Sequence, residues 1–389
     1  MKRIHRILLA AIAVIASIAI VLGLVSLGTA SQGPISTVLQ HVTSGVSGLE
    51  SRIVHAFRGP GRRAELTWLE PFREHPDSLR RPDRLMLGAY DDGIPNTLEG
   101  LIALERALDV TFPFIQTYTA WGDERRQRFP NRIVEAIHDL GSIPVVTWEP
   151  WLATFESRLH PHLPLRDDRD RNGLASVARG DYDFYIREWA GDAAQFGEPL
   201  LLRFAHEMND PYRYPWGPQH NEPEDFVAAW RHVVEMFRSE GATNVVWVWS
   251  PHTAYGGYEA YWPGDDYVDW VGTGALNYGT VAYWSEWWSF HEIFGQHYDA
   301  LAGFGKPIML AEFGSLAVGG DRAAWYDEAL RGFRDRYPAV HAILFFHVEH
   351  DDTVTRQALD WSLLDEPQVL ETLKAALASE GMDTKEEAR

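Results

Sequence analysis

Two glutamates offer this chain its clearest chemistry. Glu207 closes the run Leu200-Leu-Leu-Arg-Phe-Ala-His-Glu-Met-Asn209, and Glu312 closes the run Pro307-Ile-Met-Leu-Ala-Glu-Phe-Gly-Ser315. Each run has the length and composition of a strand buried on both faces, so each carboxylate is expected where a strand gives way to a loop. In a parallel α/β barrel, reactive groups gather at the C-terminal strand ends. Two carboxylates delivered there from different strands can share one cavity, which is what cleavage of a glycosidic bond requires. The competing reading makes each a paired structural acid at a barrel rim, and two in matching positions weigh against it.

A scaffold that holds such a pair is legible around them. Strand-like apolar runs fall at residues 85–90, 113–118, 143–148, 200–204, 245–249, 270–276, 308–311 and 342–346. Amphipathic helical stretches fill gaps at 98–108, 133–140, 182–196, 223–239, 287–304 and 322–337. Gly141, Gly197, Gly241 and Gly305 stand where helices should stop before the next strand. Eight βα units predict an α/β fold, a single (β/α)8 TIM barrel over residues 82–378. A doubly wound sheet is the rival, but no Gly-rich phosphate loop follows the first strand. Residues 31–81 read as a stalk or N-terminal wrap, and 379–389 as a polar tail.

Under the barrel reading one mouth collects Asp91 and Asp92, Tyr118 and Trp121, Trp148, Glu149 and Trp151, His206, Glu207 and Asn209, Trp249 and His252, Asn277 and Tyr278, Glu312, and His347. Carboxylates, aromatic rings and hydrogen-bonding groups converge there, and lysine is absent. Sixteen Trp and fifteen Tyr among 389 residues provide flat apolar faces with polar tips, suited to pyranose rings or to ordinary packing. A formal net charge of −20 argues against a nucleic-acid partner and leaves neutral glycans compatible. With no Cys there is neither a disulfide nor a thiolate metal site.

The motifs Trp148-Glu-Pro-Trp151, Gly180-Asp-Tyr-Asp-Phe-Tyr-Ile186, Arg203-Phe-Ala-His-Glu-Met-Asn209, Tyr214-Pro-Trp216 and Ala311-Glu-Phe-Gly314 resemble glycoside hydrolase family 26, a family of β-mannanases, mixed-linkage β-glucanases and some xylanases. The likeness runs from about residue 87 to 360. It implies a retaining (β/α)8 hydrolase with Glu207 on the fourth strand as general acid/base and Glu312 on the seventh as nucleophile. It also implies that His206 binds substrate and that Tyr278 hydrogen-bonds the nucleophile. Asn209, Trp216, Trp148, Trp151 and Tyr118 complete the expected sugar-binding set, with packing as the alternative for the indoles. Arg203 is either an orienting group or a buried ion-pair partner. Glu149 is a third carboxylate near the mouth, a substrate hydrogen-bonder or structural acid. One departure is Phe345-Phe-His-Val-Glu-His350, where the family often ends its eighth strand in Trp-Phe-Asn.

Other signals are weaker. His206-Glu207 lacks the second His of a zincin, because position 210 is Asp. Asp168-Arg-Asp-Arg-Asn-Gly173 opens like a calcium loop, yet its twelfth position is Arg179. His347, His350, Asp351 and Asp352 read as a substrate-facing loop rather than a metal site. No metal or other cofactor is expected, and a Gly-x-Ser-x-Gly elbow is missing from every strand-to-helix turn.

The N-terminus is basic at Lys2, Arg3 and Arg6, then uncharged over 7–30, long enough to span a bilayer. A retained membrane anchor is expected, with a cleaved signal ending near Gly28-Thr-Ala30 as competitor. Either places the barrel outside the cytoplasm. The sequence thus predicts a monomeric, membrane-held retaining endo-β-glycanase acting on β-1,4-mannan or mixed-linkage β-1,3-1,4-glucan. The alternative is a glycan-binding or exopolysaccharide-assembly accessory with little turnover.

Overall fold

The computed structural model describes residues 61–355 and 357–382. The apolar run at 7–30, and with it the expected anchor or signal, lies outside them, as do 31–60 and 383–389. Among the described residues no helix is long and apolar enough to cross a membrane.

Eight parallel strands close in chain order into one barrel: β1 (Met86–Asp91), β2 (Phe114–Ala120), β3 (Ile143–Glu149), β4 (Leu200–Phe204), β5 (Val245–Trp249), β6 (Trp270–Asn277), β7 (Ile308–Ser315) and β8 (Val340–His347). All eight expected strands are present. The residues explain the closure. Alternate positions face inward and fill the barrel with Met86, Phe114, Val145, Leu201, Val246, Val248, Trp270, Met309 and Leu344. The intervening positions, such as Leu87, Ile115, Val146, Leu202 and Trp247, face out and pack beneath the helices. Gly88 is inward-facing, and a side chain there would sit 2.8 Å from the Cβ of Phe114. A small residue there leaves room for its large neighbours in the tapering interior.

Residues 61–81 wrap under the floor of this barrel. Short helices Glu70–Glu74 and Pro76–Arg80 bring Leu69, Phe72 and Leu79 into the interior cluster. The indole of Trp270 donates to Leu79 O at 2.8 Å, tying floor to barrel.

Helices Glu99–Leu108, Asn131–Asp139, Asp183–Phe196 and Pro223–Ser239 follow β1, β2, β3 and β4. Asp183–Phe196 stops at Gly197 in the left-handed conformation (φ 75°), which glycine adopts without strain. Two expected long helices are broken. The 287–304 stretch splits into Phe290–Ile293 and Tyr298–Ala302, and the 322–337 stretch into Arg322–Leu330 and Phe333–Arg336. Gly332 at φ 63° makes the second break, because a left-handed residue cannot continue a right-handed helix.

β7 departs most from expectation. Predicted to end at Ala311, it runs to Ser315, and Glu312 lies within it. Its register slips against both neighbours: Leu310 pairs with Thr273 and Glu312 with Gly274, while on the other side Leu310 and Phe313 pair with Ile343 and Phe345. One extra residue therefore sits in β7 near Ala311, a β-bulge. Strict alternation from inward Ala311 would point Glu312 at the helices. With the bulge, Ala311 lies in the interior cluster, Glu312 reaches the inward-facing Arg203, and Phe313 returns to the outer core.

Candidate active site

Glu207 and Glu312 are brought together. A Cβ built on Gly274 of β6 would stand 3.6 Å from Glu207 Oε1 and 3.9 Å from Glu312 Oε2. The two carboxylates thus flank one methyl-sized space above the packed interior. Both side chains are almost withdrawn from solvent, at 4 % and 5 % exposure.

Each glutamate is aimed by its own local device. Glu207 lies three residues beyond β4, with φ at +53°, and Ala205 before it has φ at +44°. Non-glycine residues take this conformation only when the surroundings hold them, and it recurs at working sites. Here the Glu207 N–H donates to Ser250 O at 2.7 Å, locking the turn to the end of β5. Glu312 is aimed by the β7 bulge. Its Oε1 accepts 2.6 Å from Arg203 Nη1 and 2.8 Å from the Tyr118 hydroxyl. Arg203 is wholly buried and also donates through Nε to Ser250 Oγ at 2.9 Å.

These contacts decide the charge of Glu312. Burial alone would push its carboxyl up. The charge and hydrogen bond of Arg203, then Arg213 and the Tyr118 phenol, hold it below the usual carboxylate range. It is an ionised, oriented carboxylate. Glu207 has different company: Oε2 has no hydrogen-bond partner, and Arg213 Nη1 stands 3.6 Å away. Arg213 also donates to Thr353 Oγ1 at 3.0 Å, linking the loop after β4 to the loop after β8.

The expected sugar-binding residues separate into two groups. Tyr118, Trp151 and Tyr278 remain half-exposed around the pair. The phenol that donates to Glu312 is Tyr118 of β2, where the resemblance had implied Tyr278, the residue just after β6. Trp148 is not a platform. Alternation along β3 turns it outward, where its ring packs 4.5 Å from Trp189 and 4.6 Å from Trp121. Trp216 is buried too, stacked 4.5 Å from Tyr214, with its indole N–H on His206 O at 2.7 Å. Asn209 spends its amide on backbone, accepting from His252 N and donating to His252 O and Gly256 O. It pins the loop after β5 rather than meeting a sugar.

His206 is buried, shares a 2.9 Å hydrogen bond with the Tyr214 hydroxyl and leaves Nδ1 unpartnered. Burial, then the charges of Arg203, Arg213 and His252, lower its proton affinity well below the histidine norm, so it is neutral. Of the other mouth residues expected, Trp121 and Trp249 join the outer core. His347 Nδ1 accepts from Leu363 N, and its Nε2 lies 3.9 Å from Asp91 Oδ2. Asp351 is engaged by Trp361 Nε1 and Thr353, so the His347–Asp352 segment assembles no metal cluster among the described residues.

Glu149 accepts 3.2 Å from the Trp151 indole. Burial pushes its carboxyl up to about 7, opposed by that hydrogen bond and by Arg203. Arg213 is the site residue that sequence reasoning missed. Its signal was present, as the one cation in the acidic and aromatic stretch Asn209-Asp-Pro-Tyr-Arg-Tyr214. Glu207, Asp210 and His252 place their ligand atoms within 4.8 Å of one another, close enough to share a cation, but the Arg213 charge beside Glu207 opposes one.

A concavity of about 640 Å³ lined by Arg80, Asp269, Lys306 and His341 lies at the opposite end, where strands begin. No pair of converging carboxylates faces it.

Comparison with known proteins agrees with this geometry. Residues 181–305 match the family model described as Glycosyl hydrolase family 26. Endoglucanase H of Acetivibrio thermocellus is 33% identical over 283 residues, covering 70% of this chain and 28% of that protein. A mannan endo-1,4-beta-mannosidase of Bacillus subtilis is 25% identical over 169 residues, covering 42% of each. The chain spans less than half the length of the curated relatives it matches. In fold it resembles a GH26 beta-mannanase from Bacteroides ovatus (TM-score 0.56, 16% identity, 82% of this chain and 92% of that one). It also resembles GH26C from Muricauda sp. (TM-score 0.57, 15% identity, 85% and 94%).

Proposed function

We propose that this chain, whose residues 181–305 match the model of glycosyl hydrolase family 26, is a member of that family and a retaining endo-β-glycanase with Glu312 as nucleophile and Glu207 as acid/base. The observation that carries the reading is the pair of carboxylates flanking the single space at Gly274. Retaining hydrolysis needs two carboxyls about 5–5.5 Å apart, too close for a water between them.

The steps follow from the surroundings of each group. Glu312, ionised and fixed by Arg203 and Tyr118, attacks the anomeric carbon as the bond to the leaving oxygen breaks. Glu207 gives its proton to that oxygen, releasing the leaving sugar and an ester on Glu312. Glu207 then takes a proton from water, whose oxygen attacks the anomeric carbon and frees Glu312. The half-exposed Tyr118, Trp151 and Tyr278 form the walls against which the sugar is held.

A neutral β-linked glucan is the first substrate to test. Endoglucanase H is 33% identical across 70% of this chain, the Bacillus subtilis mannosidase 25% identical across 42%, and the net charge of −20 disfavours polyanions. The uncharged run at 7–30 behind a basic flank supports attachment to a membrane with the barrel outside the cytoplasm.

The test is reducing-end release from mixed-linkage β-glucan, β-mannan and xylan, with Glu312→Ala alongside. Release on one polymer with retained anomeric configuration, lost in Glu312→Ala, supports the assignment. Inverted product, or undiminished release by Glu312→Ala, refutes it. Binding to a glycan without release supports the accessory reading.

A further inference from the structure

The concavity of about 640 Å³ at the barrel floor takes no part in the chemistry above, and its charge runs against that of the whole chain. The chain carries 55 acidic and 35 basic side chains, yet the concavity is lined by Arg80, Arg81, Lys306 and His341 against one acid, Asp269. That acid is already committed. Its Oδ1 accepts from Arg80 Nε at 3.1 Å and its Oδ2 from Trp247 N at 2.8 Å. Two cations are left over. Lys306 Nζ reaches only a neutral acceptor, Asp265 O at 2.9 Å, and among the described residues the exposed Arg81 guanidinium pairs with no carboxylate.

The space is also held open by the fold. Arg80 bonds Asp269, Val271 N donates to Pro307 O at 3.0 Å, Ile308 N to Ala339 O at 2.8 Å, and His341 Nδ1 to Arg84 O at 3.2 Å. These contacts stitch residues 80–84 and the starts of β6, β7 and β8 into one rim, so the groups on it are set before a ligand arrives. With Nδ1 on a carbonyl, His341 keeps Nε2 for a ligand. Donors from three separate stretches suit an anion with several acceptor oxygens: the fork of Arg81, the ammonium of Lys306 and the ring of His341. A concave wall concentrates their field where the rest of the surface is acidic.

We propose that this concavity binds a phosphate group, free or carried on a lipid headgroup, through Arg81, Lys306 and His341, with the Arg80–Asp269 pair as part of its wall. It lies where the strands begin, whereas Glu207 and Glu312 lie where strands end, so its ligand leaves the mouth open to glycan. Residues 61–81, which follow the basic and then apolar N-terminal stretch in sequence, cross the same floor. A lipid headgroup is therefore one source of the phosphate and the solution is the other. The site stands apart from the hydrolase reading, and failure of either leaves the other intact.

The test is lysine acetylation of the full chain, read peptide by peptide, with Lys306 at the site and Lys374 on the helix Pro367–Ser379 as internal reference. With inorganic phosphate at about 10 mM, acetylation of Lys306 is expected to slow about threefold, with no change at Lys374 or in chloride of equal ionic strength. A second arm uses vesicles of phosphatidylcholine containing phosphatidylglycerol against vesicles of phosphatidylcholine alone. Both offer the same apolar interior, so only the headgroup differs. Slowing in the first arm marks free phosphate as a ligand; slowing in the second arm alone marks the headgroup. Arg81→Ser removes an exposed group that holds nothing in the fold, so it should abolish either effect with Tm unchanged. No slowing in either arm, equal slowing at Lys374 or in chloride, or slowing that survives Arg81→Ser overturns the site.

Discussion

Arg203 and Glu312 meet at 2.6 Å inside the barrel, the guanidinium with no exposure and the carboxylate with almost none. A buried charge pair of this kind contributes little net stability, but removing one partner strands the other at a cost of about 3–5 kcal/mol. The pair matters for what it does to the carboxylate, which it keeps ionised and facing the Gly274 space.

Weakening that pair should show in the pH profile. Arg203 favours the charged form of Glu312, so its loss raises the carboxyl. The proposed reaction needs the charged form. In Arg203→Lys, where a point charge replaces a planar fork, the acid limb of kcat/KM should move to higher pH. An acid limb that stays in place or moves lower contradicts the role given to Arg203.

Tyr118 and Tyr278 can be told apart by removing one oxygen at a time. Tyr118→Phe loses a charge-assisted hydrogen bond to Glu312, so kcat should drop about 10–100-fold with the fold intact. Tyr278→Phe should act mainly on KM. Steady-state kinetics of the two variants on one oligosaccharide decides between them, and the reverse pattern restores Tyr278 as the nucleophile's partner.

Glu149 sets a pH dependence of stability. Burial raises its carboxyl in the folded protein to about 7 from the ordinary 4.5. The folded state therefore binds the proton more tightly than the unfolded chain does. Its stabilisation is full below about 4.5 and is lost as pH rises through about 7. Glu149→Gln, which cannot ionise, should raise Tm relative to wild type at pH 8 and change it little at pH 4. Thermal scans at the two pH values check the sign.

Gly274→Ala tests the space between the carboxylates. The new methyl would lie at ordinary contact distance, 3.6 Å and 3.9 Å from the two glutamates, so Tm should hardly change. It would occupy room meant for the sugar, and kcat/KM should fall at least tenfold. Gly88→Ala is the contrast. Its methyl would come within 2.8 Å of Phe114 and destabilise the floor of the barrel through overpacking.

The barrel was readable because its strands are near-continuous apolar runs and its helices end on glycine, both local signals. Glu207 and Glu312 were readable because each closes such a run. Orientation was harder. Trp148 and Glu149 are neighbours in sequence, yet alternation sends one into the helix layer and the other into the mouth. Trp216 has the composition of a sugar platform but is covered by Tyr214. The β7 bulge is absent from the sequence pattern, because an extra residue shows only when both neighbouring strands are paired with it. Arg213 escaped notice because its partners are divided between its own stretch, Glu207 and Tyr214, and a loop 140 residues away, Thr353.

The last of those contacts bears on how a polymer is consumed. β4 and β8 are four places apart in a ring of eight, so the bond from Arg213 to Thr353 is a footbridge from one bank of the mouth to the other. A loose chain end can be fed beneath a footbridge, whereas the middle of a long chain must wait for it to lift. A single exposed hydrogen bond from a charged group is worth only about 1.5–3 kcal/mol, so the bridge lifts often. On the proposed glycanase reading, the lifetime of that one arginine–threonine bond would divide random scission from trimming at the tip.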